Sequence, residues 1–170
     1  MEVRLWSRVA LVVVSAAMLQ LGVFAQFRVW DVSADILLLV SVAAAMVAGS
    51  DRGALVGFGA GLLVDLQVRT PFGLSALSFC LAAYAVGRLE AMAVRTSRTT
   101  EMLTGFAGTA IGTVLFALLG TLVGLSAPSF GRVLLIAAVA GVWNALLTPL
   151  AVRVMRWAWQ QPDRLRMAYR

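Results

Sequence analysis

The chain has 170 residues, of which 61% are hydrophobic and only 13% are charged. A soluble domain of this size cannot bury so much apolar surface, and apolar runs of about 17–25 residues recur as in transmembrane helices. A transmembrane β-barrel is excluded, because no stretch alternates apolar and polar residues over about ten positions. The net charge is +6, and the fourteen basic residues are all arginines near predicted helix ends. This distribution argues against nucleic-acid binding and indicates the orientation of a membrane protein.

Six apolar segments predict an all-α integral membrane protein with six transmembrane helices in one domain. They cover residues about 9–27, 34–48, 54–68, 74–89, 102–125 and 133–154, and a basic tail follows over 155–170. The first segment follows Arg4 and Arg8 in the manner of a signal peptide. Its apolar run is longer than the usual core of such a peptide, so we expect it to remain as a helix.

The second and third segments are short. Each is about 22 Å long by helical rise, whereas the hydrocarbon core of a bilayer is about 30 Å thick. We favour two short spanning helices, and a re-entrant hairpin over 34–68 is the alternative. The turns on either side of the third segment, residues 49–53 and 69–73, are rich in glycine and charge, and Pro71 breaks the helix in the second of them.

The arginines predict which side of the membrane each loop occupies. With six spans and both termini in the cytoplasm, eleven arginines lie inside, and only Arg28, Arg69 and Arg132 lie outside. This asymmetry agrees with the positive-inside rule. We therefore expect a multi-pass membrane protein with both termini in the cytoplasm.

Asp65 is the most informative residue of the sequence, because it ends a glycine-rich apolar stretch. An ionisable side chain in a transmembrane segment costs about 2.5–3.5 kcal/mol on insertion scales and marks function or a specific partner. Arg69 follows at the spacing of an ion pair on one helix face. With Asp35, on the same predicted side, these residues form a hypothetical polar cluster that holds the hairpin or meets a partner.

Small residues recur at helical spacing in two segments. Gly53, Gly57 and Gly61 lie four residues apart, and the pairs Gly108/Gly112 and Gly120/Gly124 repeat this spacing in the fifth segment. Such faces allow close approach of two helix backbones. Packing within one bundle is the favoured interpretation, and contact with a helix of another protein is the alternative.

Further polar residues lie at helix ends and in the last segment. Arg88 ends the fourth helix, where it serves as an orientation signal or as a functional group. Asn144 and Pro149 predict a local perturbation of the sixth helix, with Asn144 bonded across helices. The sequence has no histidine and a single cysteine, Cys80, so we expect no metal site, no cofactor and no enzymatic activity.

These residues together resemble the core of a known family. The matching stretches are Asp35-Ile-Leu-Leu-Leu, Arg52-Gly53, Gly57-Phe-Gly-Ala-Gly61-Leu-Leu-Val-Asp65, Pro71-Phe-Gly73-Leu-Ser-Ala-Leu and Tyr84-Ala-Val-Gly87-Arg88. This pattern resembles the MreD family of rod-shape-determining membrane proteins of bacteria. One departure is Ala34, where the family usually has proline.

The resemblance implies a fold, partners and site residues. MreD-like proteins are non-enzymatic membrane scaffolds of the cell elongation machinery, and their fold resembles the S-component of energy-coupling-factor transporters. The implied partners are an MreC-like membrane protein and, indirectly, RodA, a class B penicillin-binding protein and MreB, within a shell of membrane lipids. The residues carried over are Asp35, Gly57, Gly61, Asp65, Pro71, Gly73, Gly87 and Arg88.

A transporter is the alternative function. An S-component-like subunit that binds a vitamin-sized ligand would also have six short helices and a polar cluster towards the outside. The short outer loops argue against it, because they offer few hydrogen-bonding groups to orient a ligand.

Overall fold

The computed structural model of the protein describes residues 2–24, 34–68, 71–92, 97–126 and 129–160. Helices account for 87% of these described residues, and no strand occurs among them. The prediction of an all-α protein is therefore confirmed. The helices are α1 Glu2–Leu19, which continues as a π-helical turn over Gln20–Phe24, then α2 Ile36–Ala48, α3 Ser50–Asp65, α4 Leu74–Glu90, α5 Arg98–Leu122 and α6 Phe130–Trp159.

The first helix and the last two helices each extend beyond the predicted apolar segment at one or both ends. α1 begins at Glu2 rather than near residue 9, α5 begins at Arg98 rather than 102, and α6 ends at Trp159 rather than 154. Hydropathy marks only the apolar part of a helix, whereas the backbone stays helical through arginine, glutamate and methionine, which are good helix formers. Residues 161–170 of the predicted tail lie outside the described residues.

Three helices are long and apolar enough to cross a membrane: Arg4–Gly22, Arg98–Leu122 and Phe130–Trp159. The other three are shorter, with 13 residues in α2, 16 in α3 and 17 in α4. Their shortness agrees with the sequence, which predicted a short second and third helix. The helices are those of an integral membrane protein.

α2 is the central helix of the bundle. Ten consecutive residues from Ile36 to Ala45 are buried, so apolar side chains cover every face of the helix, as in the core of a bundle. α2 contacts each of the other five α-helices. It begins beside the middle of α6, because Asn144 Nδ2 donates a hydrogen bond to the Asp35 carbonyl oxygen at 3.0 Å.

The α3–α4 hairpin packs backbone against backbone at two glycines. A Cβ built on Gly57 would lie 2.6 Å from the carbonyl oxygen of Phe79, and one on Gly61 would lie 2.5 Å from that of Ser75. Both distances are shorter than real Cβ atoms allow. Gly87 of α4 likewise faces the backbone of Ser50. These glycines therefore serve packing within the bundle, which was the favoured interpretation of their spacing.

Glycines of α5 make room for side chains of α2. A Cβ on Gly108 would lie 2.8 Å from a methyl group of Val42, and one on Gly112 would lie 2.7 Å from a methyl group of Leu38. The second predicted pair behaves differently. A Cβ on Gly120 would make only ordinary contacts, and Gly124 lies beyond the end of α5 with a φ of 85°. Equal spacing therefore gives different roles, because only Gly108 and Gly112 lie against large side chains of α2.

The turn predicted over residues 49–53 consists of Gly49 alone. Gly49 has φ 89° and ψ 174°, a conformation that glycine adopts without steric cost, and α3 begins at the next residue. Asp51 lies in the first turn of α3, where a carboxylate interacts favourably with the helix dipole. The charged residues that suggested a loop thus form the first turn of a helix.

Two neighbouring glycines of α3 test the packing of the hairpin. We expect Gly57→Ala to lower the free energy of unfolding by about 1–3 kcal/mol, because the added methyl group pushes α3 away from α4. Gly59→Ala is the matched control, since its Cβ would meet no atom within 4 Å. The control should be neutral or stabilising by up to about 1 kcal/mol, from helix propensity. Thermal unfolding in detergent micelles measures both, and equal effects would contradict the backbone contact.

Candidate functional site

Asp65 is the last residue of α3, and its carboxylate caps the start of α4. Oδ2 accepts hydrogen bonds from the backbone N–H groups of Gly73 at 2.9 Å and Ala76 at 3.2 Å, and Oδ1 accepts from Ser75 at 3.0 Å. The residue is only 5% exposed. The first amides of a helix have no partner within it, and leaving them unpaired in apolar surroundings is costly. Asp65 therefore closes the hairpin and provides hydrogen-bond acceptors for the first backbone N–H groups of α4, away from water.

α4 depends on this distant carboxylate because its own N-cap residue is a glycine. Gly73 has φ 97° in the left-handed region and has no side chain to accept a hydrogen bond. The Pro71 carbonyl oxygen accepts from Leu74 N–H at 3.2 Å, and proline itself carries no amide that needs a partner. The tight turn from Pro71 to Gly73 and the carboxylate of Asp65 thus form one structural unit.

Asp35 performs the same task for α2. Its Oδ1 accepts from Leu38 N–H at 3.1 Å, and Gln20 Oε1 accepts from Leu37 N–H at 3.1 Å. Two amides of the first turn of α2 are therefore satisfied by side chains, one from the N-cap position and one from the π-helical turn after α1. An aspartate at this buried place is explained by the need for a cap.

The two carboxylates have different partners. No hydrogen bond among the described residues joins Asp35 to Asp65, so the predicted cluster consists, in its described part, of two separate helix caps. Asp35 also borders a cavity of about 170 Å³ between α2, α3, α4, α5 and α6. Its lining residues are Asp35, Leu38, Val64, Ser75, Phe79, Gly112, Thr113, Phe116 and Ile136.

The two predicted arginines have different outcomes. Arg69 lies outside the described residues, so its pairing with Asp65 stays a prediction. Arg88 is exposed in the last turn of α4, where a cation interacts favourably with the C-terminal end of the helix dipole. This position is compatible with the orientation role that the sequence suggested.

Asn144 joins three helices at the middle of the bundle. Its side chain is fully buried, and Nδ2 donates both to the Asp35 carbonyl oxygen and to Thr109 Oγ1, each at 3.0 Å. The Thr109 hydroxyl in turn donates to the Gly105 carbonyl oxygen at 2.8 Å. The prediction that Asn144 bonds across helices is confirmed, and Pro149 lies within the continuous helix α6.

An ion pair ties α5 to α6 at the end of the bundle that holds Gly49. Arg156 Nη2 donates to Glu101 Oε1 at 2.6 Å. Glu101 is 8% exposed and lies in the first turn of α5, where the helix dipole favours a negative charge. The arginine is the more exposed partner, so the pair keeps contact with its surroundings.

Aromatic rings and arginines meet at the same end of the bundle. Trp6 and Trp159 pack edge to face with ring centroids 5.5 Å apart. The guanidinium group of Arg52 lies 5.1 Å from the Trp159 ring, and that of Arg8 lies 5.5 Å from the Trp157 ring. Such pairs are typical of the membrane interface.

Three residues of these networks were not singled out from the sequence. Gln20 is a lone polar residue at the end of an apolar run, and Thr109 follows Gly108 on a face of small residues. Glu101 is an acid at the start of a helix, which is a recognised helix-start signal. Each signal is present in the sequence, but none of them indicates which distant group it meets.

No family model, curated protein or solved structure matches the chain.

Asp65 offers a direct test of the capping role. We expect Asp65→Asn to lower the free energy of unfolding by about 2 kcal/mol, because the new NH₂ group faces amide donors and the charge-assisted hydrogen bonds are lost. Chemical unfolding in detergent micelles measures the change. Asp51→Asn is the matched control, since Asp51 is exposed on the same helix. A similar loss in both variants would contradict the cap.

The buried contact of Asn144 can be tested through Thr109. We expect Thr109→Val to lower the free energy of unfolding by about 1 kcal/mol, because the Asn144 amide loses one acceptor within the bundle. Thr109→Ser keeps the hydroxyl group and should retain most of this free energy. Thr113→Val is the control, because the Thr113 hydroxyl bonds only along its own helix, to the Thr109 carbonyl oxygen. Thermal melting in micelles should separate Thr109→Val from the other two variants, and equal melting temperatures would refute the coupling.

Proposed function

We propose that this protein is an MreD-like, non-enzymatic scaffold of the bacterial cell elongation machinery. In this role it binds an MreC-like membrane protein and supports peptidoglycan synthesis by RodA and a class B penicillin-binding protein, in concert with MreB. The proposal rests on the resemblance of residues 35–88 to the MreD family. Its fold would be the six-helix bundle that resembles an S-component.

The observation that carries the proposal is that the residues of the resemblance serve one local structure. Asp35 caps α2, Gly57 and Gly61 seat α3 on α4, and Asp65 caps α4 across the Pro71–Gly73 turn. Residues that are far apart in the sequence thus stabilise the same part of the bundle, which is the α3–α4 hairpin and the neighbouring helix α2. Such cooperation explains why they occur together as a set.

The carboxylates themselves favour a structural role. Both oxygens of Asp65 accept backbone hydrogen bonds, and Asp35 is engaged at the start of α2. A catalytic acid or base needs a lone pair or proton directed at a substrate. Carboxylates that cap helices agree with the proposed scaffold function, because a scaffold presents stable helix faces to other proteins.

The cavity beside Asp35 bears on the transporter alternative. Its volume is about 170 Å³, and most of its lining residues are apolar. Pockets for vitamin-sized ligands usually have volumes of about 300–1,000 Å³ with several convergent polar groups. The cavity beside Asp35 is therefore too small to support an S-component-like binder.

Within this proposal the chain crosses the bacterial cytoplasmic membrane six times, with both termini in the cytoplasm. Short helices such as α2, α3 and α4 are accommodated where the bilayer thins around a protein. We expect a fused alkaline phosphatase, which is active only outside the cytoplasm, to be active after Ser126 and inactive after Met92 and Gln160. Activity after Gln160 would refute this topology.

Binding of the partner is the decisive test of the scaffold. We expect the tagged, full-length chain to retain the MreC-like protein of its own organism during purification in mild detergent. Depletion of the chain should widen the cells or alter their growth zones. An unrelated multi-pass protein with the same tag serves as the control for non-specific capture.

Two variants connect this test with the hairpin. Gly59→Ala should behave as the wild type, whereas Gly57→Leu should retain less partner, because it separates α3 from α4. Both are compared at equal membrane levels. Saturable binding of a small vitamin by a chain that retains no partner would instead favour the transporter.

A further inference from the structure

A lateral groove between α1, α2 and α6 shares no lining residue with the cavity beside Asp35. Its volume is about 350 Å³. One wall is formed by Leu11, Ser15 and Leu19 of α1, and the other by α6 residues that end with Trp157. Ile36 of α2 lies on its floor. Because Leu11 is 60% exposed and Leu19 is 50% exposed, the groove reaches the lipid-facing surface of the bundle.

The α1 wall continues into two arginines. Arg4 and Arg8 precede Leu11 and Ser15 at spacings of four, three and four residues, which places all of them on one face of the helix. Arg4 is exposed. The groove is thus apolar along its length and basic at one end.

The contacts of Arg8 with described residues hold it at this end and leave part of its guanidinium group available. Its Nη1 donates to the Gln160 carbonyl oxygen at 3.2 Å, and its Cζ lies 5.5 Å from the Trp157 ring centroid. A guanidinium group has five N–H donors. The remaining donors suit a phosphate, to which arginine binds with charge-assisted hydrogen bonds.

We propose that this groove is a binding site for an anionic phospholipid. One acyl chain lies between α1 and α6 on the floor of α2, and the phosphate lies against Arg4 and Arg8. Basic sites between transmembrane helices bind acidic lipid headgroups at the surface of the cytoplasmic leaflet. Trp157 lies where the apolar chain meets the headgroup, which is the depth that tryptophan prefers.

The size of the groove favours a lipid chain over a helix. The α6 wall extends from Leu147 to Trp157, which is about 15 Å of helical rise. A partner helix is rigid and about 10 Å in diameter, so only its side chains could enter a space of about 350 Å³. A flexible, narrow acyl chain fills such a space without moving the walls.

Native mass spectrometry of the full chain released from detergent tests the site. The probes are phosphatidylglycerol and phosphatidylcholine with the same acyl chains. We expect phosphatidylglycerol to be retained preferentially. Arg4→Gln with Arg8→Gln should weaken its retention by about fivefold for each arginine. Arg132→Gln, an exposed arginine at the start of α6, is the control and should retain the lipid as the wild type does.

Two further variants separate lipid binding from folding. Arg4→Lys with Arg8→Lys keeps the charge and should retain phosphatidylglycerol even where the glutamine variant fails to fold. Ser15→Trp fills the groove and should reduce retention of both lipids, whereas Ala138→Trp, on an exposed position of α6, should not.

Three outcomes would overturn the site. The first is equal retention of the two lipids, and the second is retention unaffected by both the arginine variants and Ser15→Trp. The third is the presence of another polypeptide in the groove, detected by a photo-cross-linking residue at Leu150, without bound lipid. A second copy of this chain found there in the same way counts as this third outcome.

Discussion

Two helices of this bundle begin where water cannot satisfy their first amides, and an aspartate solves the problem for each. Asp35 caps α2 from the position before it, and Asp65 caps α4 from the end of the preceding helix. Unpaired backbone groups are the largest local cost in a membrane protein. The α3–α4 turn and the central position of α2 therefore depend on these carboxylates. The glycine contacts at Gly57 and Gly61 complete the arrangement, because they bring the helix ends close enough for Asp65 to reach α4.

The sequence predicted the kind of role that Asp65 has but not its partners. A carboxylate in an apolar segment had to be neutralised or hydrogen-bonded, and its spacing from Arg69 suggested an ion pair along one helix. Its observed partners are backbone amides of α4, which become available only because Gly73 provides no cap. The glycines of α3 were predictable because spacing alone places them on one face. Gly120 and Gly124 have the same spacing but no such contact, since this depends on where the neighbouring helices end.

The polar residues of the interior form a chain of contacts rather than isolated sites. Asn144 connects α6 to the start of α2, through the carbonyl oxygen of Asp35, and to Thr109 of α5. Each such bond in a membrane protein contributes on the order of 1 kcal/mol, so its value lies more in fixing the register of three helices than in stability. The ion pair of Glu101 and Arg156 joins the beginning of α5 to α6. Two polar contacts at different depths thus join α5 and α6, beside the close packing of Gly105 against Thr148 and of Gly141 against Phe106.

The residues that resemble the MreD family make their contacts inside the bundle, and this limits what they can reveal about function. Residues that cap helices and seat backbones specify a fold, so changes at Asp65 or Gly57 act on folding before they act on a partner. In the proposed scaffold, specificity for another protein would come from helix faces directed away from α2, where large apolar side chains such as Leu118 and Leu122 of α5 are exposed. The α1–α6 side, with its groove and its basic end, suits a lipid.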